Sequence, residues 1–433
     1  MRIFKSIKGM HDILDEDIII YRKIENIFRN IVSGYGYKEI RTPILERTEL
    51  FEKSIGISTE ILSKEMYRFI DHGEKVSLRP EGTMSCIRFL IEKKLLRLNK
   101  EQRFWYVGAM FRRNKPQKGR YRQFYQIGIE LLGNSSIETN LEIILMVERY
   151  FKKLNINKYI FLEINCIGSF EDREIYKKKL LNFLIKNKKK FNKLEINSFT
   201  KNPLRLLDSK NSKIQEKIKK APNIKEYISK KSFFIFNYIC RKLKDMKILY
   251  KINRRLVRGI DYYDNFVFEW KTKMLGSQCS VGGGGRYDFL IKKLNNNFVP
   301  AIGFALGVDR LALLIKKLNY SFYINNNKLD IYFISLFKEI NILSLKISEE
   351  IRNKFPNIKL IIDYSNRKLK KTIKKALKLN SKLVLILGKK ELIKKTIIIK
   401  FLDKNKQIAI YQKDLILKLS NFLKKNENSF NNR

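Results

Sequence analysis

The chain has 433 residues, 44% hydrophobic and 12% aromatic, enough apolar material for two or three folded domains and too much for a disordered chain. It carries 91 basic and 43 acidic residues, a net charge of +48, but only two histidines, His11 and His72. That scarcity excludes HExxH zinc sites and argues against Ser–His–Asp or Cys–His catalysis, while four scattered cysteines without a CxxC pair argue against a structural zinc or a disulfide framework.

In chain order, residues 13–33 carry apolar side chains three to four apart, which predicts an amphipathic helix ended by Gly34 and Gly36. Residues 38–44 alternate as a strand broken at Pro43, and a short helix begins at 50–53. Residues 66–80 read as a hairpin around Asp71-His72-Gly73, followed by a helix over 83–98. Two strands flank a polar loop within 103–133, then come a helix over 137–154 and a strand over 160–166. Residues 170–250 are Lys-rich and mostly helical, with breaks at Pro203 and Pro222. Strands over 256–270 and 277–283, a buried helix over 303–317 and a linker over 320–327 follow. Residues 329–433 then alternate: strands at 329–335, 358–363, 382–387 and 396–402, helices at 338–354, 368–379 and 413–425, and a frayed last eight residues. The expectation is an α+β chain. A β-rich core over 1–325 is interrupted by a helical insertion at about 168–250, and a separate α/β domain occupies 328–433.

Charge is uneven along this plan. Residues 151–250 and 328–433 each hold +17, whereas 15 of the 26 Arg lie in residues 1–150 against 12 of the 65 Lys. Arg recognises phosphate and carboxylate through a bidentate fork, and Lys acts as a solvated point charge. The Arg-rich part therefore reads as a site, and the Lys-rich parts as a polyanion-facing surface or as compositional drift toward Lys, Asn and Ile. No run of 18 apolar residues exists and the start, MRIFKSIKGMHDIL, lacks an apolar signal core, so no membrane partner and a cytoplasmic location are expected.

The strongest constellation is Phe111-Arg112 at a strand end, the cationic loop 113–120, and a return strand on which Gln126 and Glu130 share one face. This stretch resembles motif 2 of the class II aminoacyl-tRNA synthetases, in their histidyl family. Leu78-Arg79-Pro80-Glu81-Gly82-Thr83 resembles the family's substrate-ammonium loop, and Leu256–Tyr263 (LVRGIDYY) and Gly284–Asp288 (GGRYD) resemble histidyl-specific motifs. Ile302–Leu311 resembles motif 3, and Gly36–Pro43 resembles motif 1, the dimer element.

The resemblance implies a class II antiparallel sheet core of six or seven strands with a helical insertion, plus a C-terminal anticodon-binding domain. It implies ATP with Mg²⁺, histidine and tRNA(His) as reactants, and a homodimer. Arg112 and Arg258 would hold the α-phosphate as catalytic cations, with Arg120 and Arg310 on the outer phosphates. Asn114 and Asp309 complete the ATP set, standing where the family usually has Glu. Glu81, Thr83 and Gln126 would take the ammonium of histidine. Glu130, Tyr262, Tyr263 and Tyr287 would surround its ring, although core packing is the plain alternative for the tyrosines. Gln117 is assigned to the acceptor end of the tRNA.

Overall fold

The first helix, α1 (Asp15–Gly34), buries Ile20, Ile24, Phe28 and Val32, one residue every four, and the chain turns at Gly36 with φ +79°. The computed structural model describes residues 3–55, 61–96, 100–201, 203–207, 212–318, 329–365, 368–403 and 406–428. The chain divides into two units, Met1–Tyr323 and Ile324–Arg433. The expected linker at 320–327 and the last five residues lie outside the described set.

In the first unit the strands are β1 (Lys38–Glu39), β2 (Leu45–Arg47), β3 (Arg68–Asp71), β4 (Glu74–Leu78), β5 (Gln102–Phe111), β6 (Gln123–Leu132), β7 (Phe161–Gly168), β8 (Tyr250–Ile252), β9 (Asp264–Lys271), β10 (Ser280–Arg286) and β11 (Ala301–Gly307). Eight of them form one sheet in the order β1-β5-β6-β11-β10-β9-β7-β8, and β2-β4-β3 form a small one. The interior pairs of the large sheet are antiparallel, but both edges, β1 with β5 and β7 with β8, are parallel. The expected six or seven strands are thus eight, because the short edges carry too few residues to show a period.

Helices α2 (Thr48–Ile55) and α3 (Thr83–Glu92) precede the central hairpin, and α4 (Glu138–Lys153) follows it. The insertion holds α5 (Phe170–Lys186), α6 (Lys193–Lys201), α7 (Ser212–Lys217) and α8 (Lys230–Asp245). Next come α9 (Leu290–Asn295) and α10 (Val308–Lys317). Helices α1, α4, α8 and α10 pack one face of the sheet in a continuous apolar core. The other face meets α2, α3 and α5 in a second core containing Tyr262, Tyr263 and Tyr287. Leu184, Phe191, Phe199, Leu206, Ile214 and Ile218 give the insertion a small core of its own.

Two expectations change here. Residues 303–307 belong to strand β11, not to the helix that starts at Val308; an apolar run this short fits a buried strand as well as a helix. The expected strand over 256–270 is regular only from Asp264, and 254–263 is a chain of turns.

The second unit has β12 (Ile331–Ser335), β13 (Leu360–Asp363), β14 (Leu383–Leu387), β15 (Thr396–Phe401) and β16 (Lys406–Tyr411), ordered β13-β12-β14-β15-β16. Its helices are α11 (Asn341–Lys354), α12 (Leu369–Lys378), α13 (Lys389–Ile393) and α14 (Leu415–Asn428). β16 has no completely buried residue, and its weak alternation hid it in the sequence.

Candidate active site

Strands β5 and β6 form the spine of the site. Their register sets Gln126 opposite Gly108 and Glu130 opposite Phe104, and on the other side β11 sets Gly307 and Gly303 against the same two residues. A Cβ on Gly303 would sit 2.0 Å from Glu130 Oε2, so glycine is required for the carboxylate to lie in the sheet. The loop before α3 is anchored by the buried Arg79. Its Nε donates to Ala109 O at 3.0 Å, and its Nη1 donates to Thr42 O at 2.9 Å.

A cleft of about 500 Å³ opens over this spine. Arg112, Arg120, Arg258 and Arg310 line it, together with Asn114, Asp309, Glu81, Thr83, Gln126, Tyr262 and Tyr263. The four guanidiniums therefore converge from stretches of chain up to 198 residues apart (Arg112 to Arg310). Two are aimed by backbone carbonyls. Arg112 Nε donates to Pro80 O at 2.9 Å and its guanidinium lies 5.2 Å from the Phe124 ring centroid. Arg310 donates to Gly119 O at 2.9 Å and Ser280 O at 2.6 Å. The other two meet carboxylates: Arg120 with Glu65 at 2.9 Å and Arg258 with Glu269 at 2.8 Å. Burial lowers the pKa of Arg112 and Arg310, and for Arg310 repulsion from Arg112 and Arg120 adds to it. Such a cluster of cations favours a multiply charged anion.

Beyond the arginines the cleft becomes a polar pocket. Glu81 accepts from Thr83 N and Met84 N, both at 2.8 Å, and burial still raises its pKa. Gln126 Oε1 is buried and has no hydrogen-bond partner among the described residues. It is an acceptor waiting for a donor. Tyr262, Tyr263 and Tyr287 form an aromatic cluster with ring centroids 4.7–6.3 Å apart. Thr83 Oγ1 donates to Glu130 Oε1 at 2.7 Å, Tyr106 OH donates to the same oxygen at 3.3 Å, and Tyr287 OH donates to Oε2. Glu130 is 1% exposed, and burial pushes its pKa up to about 8 against these three hydroxyls.

Several expectations are refined by this geometry. Glu130 and Tyr287 do not line the open cleft but stand behind Thr83 and Tyr263, bonded to each other. Asn114 turns its carbonyl oxygen to Arg120 Nη2 at 2.9 Å. Both oxygens of Asp309 are taken, by Tyr21 OH at 2.8 Å and Tyr125 N at 2.7 Å, so it braces β6 from α10. Gln117 lies on the exposed turn of the β5–β6 loop, where its backbone pairs with Arg120. Sequence reasoning missed Glu65, Glu269 and Lys271. Glu269 accepts from Ser280 Oγ at 2.8 Å and pairs with Lys271 at 3.0 Å, and Lys271 reaches Glu163 at 2.8 Å. Burial alone would raise Glu269, but Arg258 and Lys271 hold it below the ordinary carboxylate value. The alternation of β9, which puts 269 and 271 on one face, was the available signal.

Residues 9–311 match the family model for histidyl-tRNA synthetase, and residues 330–422 match that for an anticodon-binding domain. The chain belongs to the histidyl-tRNA synthetase family. Its activity is that of a histidine–tRNA ligase, the ATP-consuming aminoacylation of tRNA(His). It is 44% identical to the histidine–tRNA ligase of Buchnera aphidicola subsp. Schizaphis graminum, covering 98% of this chain and 99% of that one. The ligase of Blochmanniella floridana is 43% identical, with 96% of both chains covered. The solved apo histidyl-tRNA synthetase of S. aureus superposes with a TM-score of 0.78 at 29% identity, over 96% of this chain and 99% of that one. A bacterial structure described as an ATP phosphoribosyltransferase regulatory subunit/histidyl-tRNA synthetase, at 20% identity and TM-score 0.63, shares the fold.

Proposed function

We propose that the cleft performs both steps of histidyl transfer with the residue roles that follow. ATP lies bent along the four guanidiniums, Arg112 and Arg258 on its α-phosphate and Arg120 and Arg310 on the outer phosphates. Histidine lies in the polar pocket with its ammonium on Glu81, Thr83 and Gln126. Tyr263 meets one ring nitrogen and Tyr262 walls the ring, while Glu130 and Tyr287, standing behind Thr83 and Tyr263, would reach the other nitrogen and close the pocket only when the ring displaces the bond between them. A neutral imidazole offers one N–H and one lone pair, so a hydroxyl and a carboxyl can serve both. An apolar ring of similar size would leave those groups buried and unpaired, which is costly.

In the first step a carboxylate oxygen of histidine attacks the α-phosphorus, the bond to the bridging oxygen breaks, and pyrophosphate leaves. Charge grows on the α-phosphate oxygens and on the leaving group, where fixed guanidiniums gain most in a water-poor cleft. In the second step a ribose hydroxyl at the 3′ end of tRNA attacks the adenylate carbonyl, and AMP leaves. Among the described residues no group of three His, Cys, Asp or Glu side chains stands ready as a metal cage. Mg²⁺ would be carried in on the triphosphate and would supply further charge neutralisation there.

The observation that carries this reading is the convergence of four arginines beside the tyrosine-lined polar pocket. The test is pyrophosphate exchange with each amino acid in turn: exchange with histidine alone is expected, and exchange with none overturns the reading.

The reading extends to the rest of the chain. The core over 1–325 carries the chemistry, the insertion near 168–250 leans over the acceptor stem, Gln117 touches the acceptor end, and 328–433 binds the anticodon. A homodimer is inferred from the motif 1-like segment, whose β1 forms one edge of the large sheet with Ile44 and Leu45 nearby, 44% and 46% exposed. Sedimentation at micromolar concentration tests it. A cytoplasmic location is inferred from four cysteines that are all unbridged. No helix among the described residues is long and apolar enough to cross a membrane.

A further inference from the structure

The turns at 254–263 carry both Arg258 and Tyr263 but belong to no sheet ladder. Short contacts hold the ends: Asn165 Nδ2 donates to Leu256 O at 2.9 Å, and β9 begins at Asp264. Between them a buried cation reaches in from another part of the chain. Arg173, on the first turn of α5, is 3% exposed. Its Nη1 donates to Tyr263 O, 90 residues away in sequence, and stands 3.5 Å from Asp261 Oδ1. One helical turn further, Lys177 Nζ lies 3.1 Å from Asp261 Oδ2. Asp261 is thus the shared counter-charge of two cations on one helix face.

The helix that presents Arg173 is itself fixed. Ser169 and Asp172 form a capping box at its start. Asp172 Oδ2 also accepts from Ser229 N at 3.1 Å, and Tyr176 OH donates to Pro222 O at 3.0 Å. These bonds tie α5 to the segment that closes the insertion. A buried guanidinium keeps one orientation only while its partners are in place, because leaving it unpaired is costly. We propose that Arg173 is a positioning residue that holds the Arg258–Tyr263 segment, so that the packing of the helical insertion sets the geometry of the histidine pocket. The proposal rests on the reading of Tyr263 and Arg258 given above.

Pyrophosphate exchange by the full chain, with histidine and ATP varied separately, tests it on Arg173→Lys, Asp261→Asn and Tyr263→Phe. Arg173→Lys keeps the charge but loses the fork; it should raise the KM for histidine about 10-fold or more and lower kcat as Arg258 shifts with the segment, while the KM for ATP, which three other arginines also hold, rises no more than about 2-fold. Asp261→Asn should move histidine KM in the same direction by less. An unchanged histidine KM in folded Arg173→Lys overturns the proposal, as does an equal rise in both KM values with a lowered melting temperature, which is general loosening. Should Arg173→Lys not fold, an unchanged histidine KM in Asp261→Asn overturns it. A silent Tyr263→Phe beside an impaired Arg173→Lys would sink the pocket role of Tyr263 and leave the clamp standing.

Discussion

Arg258 shows how much a single side chain is asked to do. It bonds Glu269 and lies 5.9 Å from the Tyr263 ring centroid, joining the arginine cluster of the cleft to the tyrosine cluster. Arg258→Ala should lower exchange by roughly 10²–10³-fold, the cost of one preorganised group facing transition-state charge. Filter binding should find tRNA affinity nearly unchanged; a parallel loss of affinity would contradict the role. Glu130 gives a prediction in pH. Its carboxyl titrates near 8 in the folded chain against an ordinary 4.5. The folded state therefore holds a proton that the unfolded state has released, and stability falls as pH rises from about 4.5 through 8. Glu130→Gln removes that slope. Its melting temperature relative to the parent should improve between pH 6 and pH 9, and a constant difference would refute the shift.

At the scale of elements, the β6–β11 seam leaves no room for a side chain at Gly303. An added methyl at Gly303 meets Ile129 O at 2.5 Å as well as Glu130. Gly303→Ala should destabilise the first unit by about 1–3 kcal/mol through overpacking and weaken histidine binding in the same protein, measured by denaturant titration beside exchange. The cap of α5 touches no residue of the cleft and reaches it only through Arg173: Ser169→Ala should cost about 1 kcal/mol of stability. These elements also mark what could be read in advance. The helix α1, the β5–β6 hairpin and the alternation of the second unit announced themselves through periodicity, and the arginines of the cleft through motifs of fixed spacing. Glu65 and Arg173 did not, since their partners lie 55 and 90 residues away and nothing local distinguishes them from surface charges. Asn114 and Asp309 were found on the cleft, but their protein partners were not foreseen, because spacing places a residue on an element without saying which neighbour will claim its oxygen.

Across the whole molecule the question is what the +48 charge does. Helix α12 exposes Lys370, Lys371, Lys374, Lys375 and Lys378 around a buried stripe of Thr372 and Ala376. If such lysines meet the tRNA backbone, replacing Lys370, Lys371 and Lys374 by Gln should flatten the salt dependence of binding by roughly one unit of log–log slope per lost phosphate contact. An unchanged slope would assign them to drift. The two carboxylates that greet Arg120 and Arg258 have a consequence for turnover. An empty cluster of bare guanidiniums would strain the resting fold and grip departing pyrophosphate too well. Glu65 and Glu269 neutralise two of the four cations in the vacant cleft. If the arginines hold the nucleotide as proposed, these carboxylates would compete with the loosening product for the same forks, so release would be built into the groups that keep the vacant cleft intact.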